Sequence, residues 1–352
     1  MHRALRLAAL AGASTLALAF AGSAFAAYTP QFIVSHTPSD VSSATTTITI
    51  RQTRDDDATF RVTFYVPQGY SGALGQAAGT KLGTVAAHVQ ATAISQDAIL
   101  PINGDVIAAS NTDATIAGAS LQCTATTTHD AFWLLALEAS GQKLQVPVFI
   151  DKATGAEAAF AQFKLQVCLP PPATATFGAK LLDASLTLAN IFTTPVSPGQ
   201  YVWPAFFIPY ASSAGPVNPA GMVQSRAVVR LPGQITLKGK ITSKKKRTVS
   251  LTGSVTENRT AVAGARVQLL LGTATGGFTT TTKATGAYTF SLKKKGKKAT
   301  TTFRARVTVP ERSITVVGCA LSVPGLPAAP AGCVNAIASP FTATSNAVNI
   351  RL

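Results

Sequence analysis

The stretch Val249-Ser-Leu-Thr-Gly-Ser-Val255 places apolar side chains at 249, 251 and 255, with a glycine at 253. Successive side chains of a strand point to opposite faces, so these four positions share one face and Ser250, Thr252 and Ser254 share the other. One apolar and one hydroxylated face describe a half-buried strand. The same period recurs on both sides of this stretch. Before it, Ile235, Leu237, Gly239 and Ile241 alternate. After it come Val267, Leu269 and Leu271; the polar segment Phe278–Thr282; Tyr288, Phe290 and Leu292; Phe303, Ala305, Val307 and Val309; and Val348, Ile350 and Leu352.

Seven such strands in about 115 residues is the size of an immunoglobulin-like β-sandwich. Residues 235–352 are therefore expected to form one Ig-like domain. Three segments carry a resemblance: Val249–Val255, Val262-Ala-Gly-Ala-Arg-Val-Gln-Leu269 and Thr285-Gly-Ala-Tyr-Thr-Phe290. Together this third of the chain resembles bacterial Ig-like and carboxypeptidase-regulatory-like (transthyretin-related) modules. The resemblance implies an accessory or spacer module on an extracellular protein rather than a catalyst. Some related modules carry a Lys–Asn isopeptide bond. Here Lys238, Lys240 and Asn349 alternate with core positions and are expected to point outward, so no such bond is expected.

Upstream, Phe60-Arg-Val-Thr-Phe-Tyr-Val66 and the Ile48/Ile50 segment show the same alternation. Arg54-Asp55-Asp56-Asp57 lies between them and reads as a turn joining an antiparallel pair. The sharper alternative for Asp55, Asp56 and Asp57 is calcium, although no Asp-x-Asp-x-Asp-Gly loop accompanies them. Phe132–Leu137, Lys143–Ile150 and Phe163–Cys168 read as further strands. Gly199–Tyr210 holds five aromatics and reads as a core strand, with an aromatic platform for sugars as the alternative. The best helical candidate, Ala153–Phe163, is broken by Gly155. The fold class is thus all-β: tandem antiparallel β-sandwiches of Ig-like type. Residues 27–231 form the first region, as one unit or as two divided near Pro170–Pro172. The boundary to the second lies near Leu231-Pro232-Gly233. The first region resembles secreted actinobacterial β-sandwich proteins.

Residues 1–26 read as a secretory signal: Arg3 and Arg6, an apolar run from Leu7 to Phe20, then Ala24-Phe25-Ala26. No later segment is apolar for the length that spans a bilayer, ~20 residues. The expected product is secreted, either extracellular or associated with the cell envelope. Four cysteines suit an oxidising compartment, and pairing within each half gives Cys123–Cys168 and Cys319–Cys333. No CxxC occurs, so neither a metal site nor a cofactor is expected.

Net charge is +16, and all of it resides in one part of the chain. Residues 235–352 hold 18 Lys and Arg against two acids, Glu257 and Glu311. Two loops concentrate it: Lys244, Lys245, Lys246 and Arg247, and Lys293, Lys294, Lys295, Lys297 and Lys298. In Ig topology the loops after the first, third and fifth strands share one pole. Both clusters are therefore expected at one end of the domain. Such a pole suits contact with an anionic envelope polymer, polysaccharide or surface, weakened by salt. Neither loop interleaves aromatics or several arginines, which argues against sequence-specific nucleic-acid recognition. The bland reading is that the lysines only solubilise turns and guard strand edges.

Two other function classes compete with this one. A secreted hydrolase would need a site in residues 27–231, where only His36, His88 and His129 occur. No GxSxG, HExxH or SxxK stands in a suitable context, and His129-Asp130 would point to opposite faces of a strand. Asp97, Asp105 and Asp113 are the carboxylates that could converge. A self-assembling structural protein would use open strand edges, which the sequence does not locate.

Overall fold

The computed structural model describes residues 28–96, 98–212, 214–272, 274–293, 299–314, 323, 326 and 335–351. The expected signal, the Cys319–Cys333 pair, Asp97, Lys294, Lys295, Lys297 and Lys298 lie outside them.

The first region supplies β1 (Gln31–His36), β2 (Thr45–Arg51), β3 (Thr59–Pro67), β4 (Ser71–Gly72), β5 (Lys81–Ala91), β6 (Ile99–Ala109), β7 (Ala131–Ala139), β8 (Gln142–Lys152), β9 (Ala161–Cys168), β10 (Ala179–Ala189), β11 (Phe192–Thr193), β12 (Gly199–Pro209) and β13 (Val223–Leu231). The second supplies β14 (Gly233–Ile235), β15 (Lys238–Ser243), β16 (Thr248–Glu257), β17 (Thr260–Ala261), β18 (Arg266–Leu271), β19 (Ala274–Thr281), β20 (Ala287–Lys293), β21 (Thr300–Val309), β22 (Arg312–Ile314), β23 (Asn335–Ala338), β24 (Phe341–Thr344) and β25 (Val348–Arg351).

One 13-stranded sheet runs β1-β2-β10-β5-β6-β7-β8-β9-β3-β12-β13-β23-β22. It curls until β1 lies alongside β13, where the Phe32 N–H donates to Ser225 Oγ at 3.2 Å. Its two curved halves thus face each other across one core, which takes Val34, Phe64, Val85, Trp133, Val148, Leu165, Trp203 and Val229 from strands throughout the sheet. The Pro170–Pro172 run interrupts the chain but not this core, because β9 before it and β10 after it belong to the same sheet. Gly199–Tyr210 is a core strand: Trp203, Phe206, Phe207 and Tyr210 are buried.

Three expectations are corrected. The acidic turn does not join a paired hairpin. β2 pairs with β1 and β10, while β3 pairs with β9 and β12, so the turn crosses between distant parts of the sheet. Residues 153–163 hold a single 3-10 turn at Glu157–Ala159 before β9 begins at Ala161, and the α-helix lies elsewhere. It is α1 (Ala114–Thr124), started by Asp113, whose carboxylate accepts from the Thr115 and Ile116 amides. Its weak amphipathicity hid it, and tertiary anchors hold it: Ile116 and Cys123 pack on Leu134 and Phe149, and Cys123 is bonded to Cys168 on β9. Finally, residues 235–352 do not keep to one sandwich. β23 pairs in parallel with β13, β22 pairs with β23, and both extend the large sheet. Val323 and Leu326 pack on its outer side with Tyr65, Phe206 and Ile208.

The remaining C-terminal strands form the Ig-like sandwich. One sheet is β14/β15-β16 with β17 and β20, and the other is β19-β18-β21 with β24 and β25. Leu251, Val267, Leu269, Phe290, Ala305 and Val307 fill the space between them. The opening stretch lies in β16, at the centre of the first sheet, and its alternation matches burial: Val249, Leu251 and Val255 are buried. Gly253 fits there because Thr236 O crosses above it, where a Cβ would stand 1.9 Å from that oxygen. Lys238, Lys240 and Asn349 are exposed, as their alternation requires. Glu257, at the end of β16, is buried between the two regions, with Arg312 at 2.6 Å and Arg230 at 3.7 Å.

Candidate functional site

β15 and β16 are antiparallel neighbours, so the turn between them carries Lys244, Lys245, Lys246 and Arg247 at one end of the sandwich. The turn is built locally. Ser243 Oγ accepts from the Lys246 amide at 3.1 Å, the Arg247 amide donates to Lys244 O at 3.3 Å, and Arg247 closes it at φ 52°. Lys244, Lys245 and Lys246 are exposed. β20 runs antiparallel beside β16 with Thr248 opposite Lys293. The start of β16 and the end of β20 therefore meet, and Lys293 flanks the first lysine turn.

Between the two sheets at this pole lies a cavity of about 330 Å³. Val249, Leu271, Phe278, Leu292 and Phe303 form its apolar lining, with Ser291, Lys293 and Thr301 at its polar margin. Phe278 is 49% exposed and Leu271 38%. The sequence reading placed Phe278 on a polar edge strand and missed the cavity. The one available signal was a lone phenylalanine in Gly-Gly-Phe-Thr-Thr-Thr-Thr.

The first region separates its titratable groups. His36 is buried, with Nε2 2.9 Å from Tyr70 Oη and Nδ1 3.1 Å from Thr46 Oγ1. Burial lowers its pKa to about 4. His88 Nδ1 is 3.0 Å from Asp183 on the exposed outer face. Asp105 pairs with Lys81 at 2.7 Å and Asp113 caps α1, so these two carboxylates do not converge. Asp130 accepts from the Lys152 amide, while His129 turns to Asp151 at 3.0 Å. The other imidazole nitrogen of His129 is 3.0 Å from Thr124 Oγ1. Hydroxyl, imidazole and carboxylate thus stand in the order of a nucleophilic relay, which the sequence hid because Asp151 lies on the next strand. The relay is closed to substrate. The His129 side chain is fully enclosed between Phe132 and Phe149, and the Thr124 hydroxyl already donates to Ser120 O. The arrangement locks the α1–β7 connection to β8.

Of the three acidic-turn residues, Asp56 is buried. Its two oxygens accept from the Thr29 and Thr53 amides at 2.7 and 2.6 Å. The carbonyls of Arg54 and Asp56 take the Lys180 ammonium. Among the described residues no group of three His, Cys, Asp or Glu side chains could hold a metal ion. No helix among them is long and apolar enough to cross a membrane.

His36 carries a pH prediction. Its folded pKa lies below the ordinary value of 6.5. Between the two values the unfolded chain binds the proton and the folded chain does not, so stability falls as pH drops from about 6.5 to about 4. The expected loss is about 2–3 kcal/mol in urea unfolding over that window. In His36→Gln this component of the slope should vanish. An unchanged slope would show that other groups carry it.

No family model matches the chain. No curated protein matches it either. Among solved structures it is similar to the D00-D0 domain of Intimin, at 16% identity and a TM-score of 0.20, over 63% of this chain and 93% of that one. It is also similar to the D0-D1 domain of Intimin, at 14% identity and a TM-score of 0.18, over 60% and 88%.

Proposed function

We propose that the protein is an exported, non-catalytic β-sandwich protein of the cell envelope, whose lysine-rich pole contacts anionic polymers or surfaces. The observation that carries this reading is the register of Thr248 opposite Lys293, which joins the ends of the two lysine-rich loops. Lys244, Lys245, Lys246, Arg247 and Lys293 meet at this end, and clustered cations of this kind attract polyanions by counterion release. The secretory pattern of residues 1–26 and the Cys123–Cys168 bond fit an oxidising, extracytoplasmic setting.

The test uses chain 27–352 with anionic vesicles, zwitterionic vesicles and purified envelope polymer at rising salt. Binding to the anionic partners should weaken linearly in log–log form as salt rises. Lys244→Ala/Lys245→Ala/Lys246→Ala/Lys293→Ala should lower the slope by about four if each lysine meets one phosphate. Absence of binding at 20 mM salt, or a variant indistinguishable from the parent, would leave the lysines as solubilising turn residues.

A further inference from the structure

A second basic surface lies on the outer face of the sheet formed by β18, β19, β21, β24 and β25. Arg266 leaves β18, Arg304 and Arg306 leave β21, and Arg351 leaves β25. Their strand neighbours Val267, Phe303, Ala305, Val307 and Ile350 are buried, so alternation sets all four arginines on the solvent side. The register orders them along β21: Thr300 opposite Arg351, Arg304 opposite Leu270, Arg306 opposite Gln268, and Thr308 opposite Arg266. From position 300 to 308 the track is about 27 Å long. A shallow groove of about 310 Å³ lies at its 306–308 end, lined by Arg266, Gln268, Thr279, Arg306 and Thr308.

Among the described residues no carboxylate neutralises this face. The two acids of the C-terminal part are engaged elsewhere: Glu257 with Arg312 and Arg230, and Glu311 with Arg51. No described carboxylate pairs with Arg266, Arg304, Arg306 or Arg351. Cross-strand positions on a solvated sheet are ordinarily stabilised by opposite charges, and like charges side by side cost stability. Arg304 and Arg306 occupy successive outward positions on β21, and the cross-strand residues opposite them are Leu270 and Gln268 rather than carboxylates. The residue type is also segregated. The two polar loops are dominated by lysine, a hydrated point charge, whereas this face holds only arginine, whose planar fork grips an oxyanion with two hydrogen bonds.

We propose that this face is a binding site for a linear anionic glycan, an extended sugar chain bearing sulfate or carboxylate groups. The arginine forks would take the oxyanions. The hydroxyls and amides between them, from Thr279, Thr308, Thr342, Thr344 and Gln268, would meet the sugar hydroxyls. The outward positions of these strands hold no aromatic ring, so the face lacks the stacking platform that single-stranded nucleic acid uses. The track starts beside the lysine pole, at Thr300 and Arg351, and runs away from it along β21, so that Arg306 and Arg266 lie towards its far end.

The test measures affinity of chain 27–352 for a sulfated oligosaccharide, a uronate oligosaccharide, and single- and double-stranded DNA of matched charge, each at 50 and 150 mM salt. Arg266→Gln/Arg304→Gln/Arg306→Gln should weaken glycan binding at least about tenfold and lower the salt slope by about three. Arg266→Lys/Arg304→Lys/Arg306→Lys keeps the charge, and a loss of about threefold or more would mark fork recognition. Lys244→Ala/Lys245→Ala/Lys246→Ala, which addresses the lysine turn and leaves the arginine face intact, should change glycan affinity less than twofold. The sulfated and uronate arms identify the oxyanion. The proposal is overturned by absence of glycan binding at 50 mM salt, by equal losses in the arginine and lysine variants, or by tighter binding of either DNA. Unchanged melting temperatures of the exposed-face variants would confirm that folding is intact.

Discussion

Replacing both Cys123 and Cys168 by alanine is expected to lower the free energy of unfolding by about 4 kcal/mol. The bond spans 45 positions, and a cross-link of that span removes loop entropy from the unfolded chain. Its local consequence is larger than its share of the sequence. An 11-residue helix is marginal in water by itself, and α1 is held by a small cluster in which Cys123 is 1% exposed. Without the bond, amide exchange within 114–124 should rise before that of the strands. Urea unfolding of the double variant measures the effect while leaving Cys319 and Cys333 untouched. A loss under about 1 kcal/mol would mean that the helix docks by packing alone.

The second expectation concerns the glycine of the opening stretch. Gly253→Ala should cost about 3 kcal/mol, the upper range for forcing one extra carbon into a packed site. The new Cβ would lie 1.9 Å from Thr236 O and 2.6 Å from Tyr288 Oη. Neither can retreat cheaply. Thr236 donates its amide to Ser254 O at 2.9 Å, and its carbonyl accepts the Tyr288 hydroxyl. The segment joining β14 to β15 would have to lift from β16, losing those bonds as it moves. Gly118→Ala provides the comparison. It sits within α1 with nothing inside 4 Å of its added carbon, so alanine there should stabilise by about 0.5–1 kcal/mol. Equal thermal shifts for the two variants would remove the crowding argument.

The strands of the Ig-like sandwich were legible because each has one wet face and one dry face. Period-two alternation at 249–255, 267–271, 288–292 and 303–309 is the direct imprint of that asymmetry. The Cys123–Cys168 pairing was legible as the simplest of three options. Strand order led to the expectation that the two lysine loops share a pole; of the second loop the structure describes Lys293, which lies opposite Thr248 beside the first. The helix was illegible because α1 has little amphipathic pattern, and its stability comes from a cap, a disulfide and contacts made by other strands. The pairing of the first region was illegible for a different reason. β2 and β3 are consecutive, yet each pairs with strands distant in sequence. Periodicity says which face is dry, but not which partner covers it.

Local chemistry in the sequence determined the strands, the capping residues, the cysteines available for bonding and the concentration of charge in the last third. Only the tertiary structure decided that β22 and β23 return to complete the large sheet. It alone decided that His129 finds Asp151 rather than Asp130, and that four arginines spread over three strands share one unneutralised face. Alternation is a property of neighbouring residues and is written locally. Pairing is set by long-range packing, in which residues tens to more than a hundred positions apart compete for the same hydrogen-bonding edge.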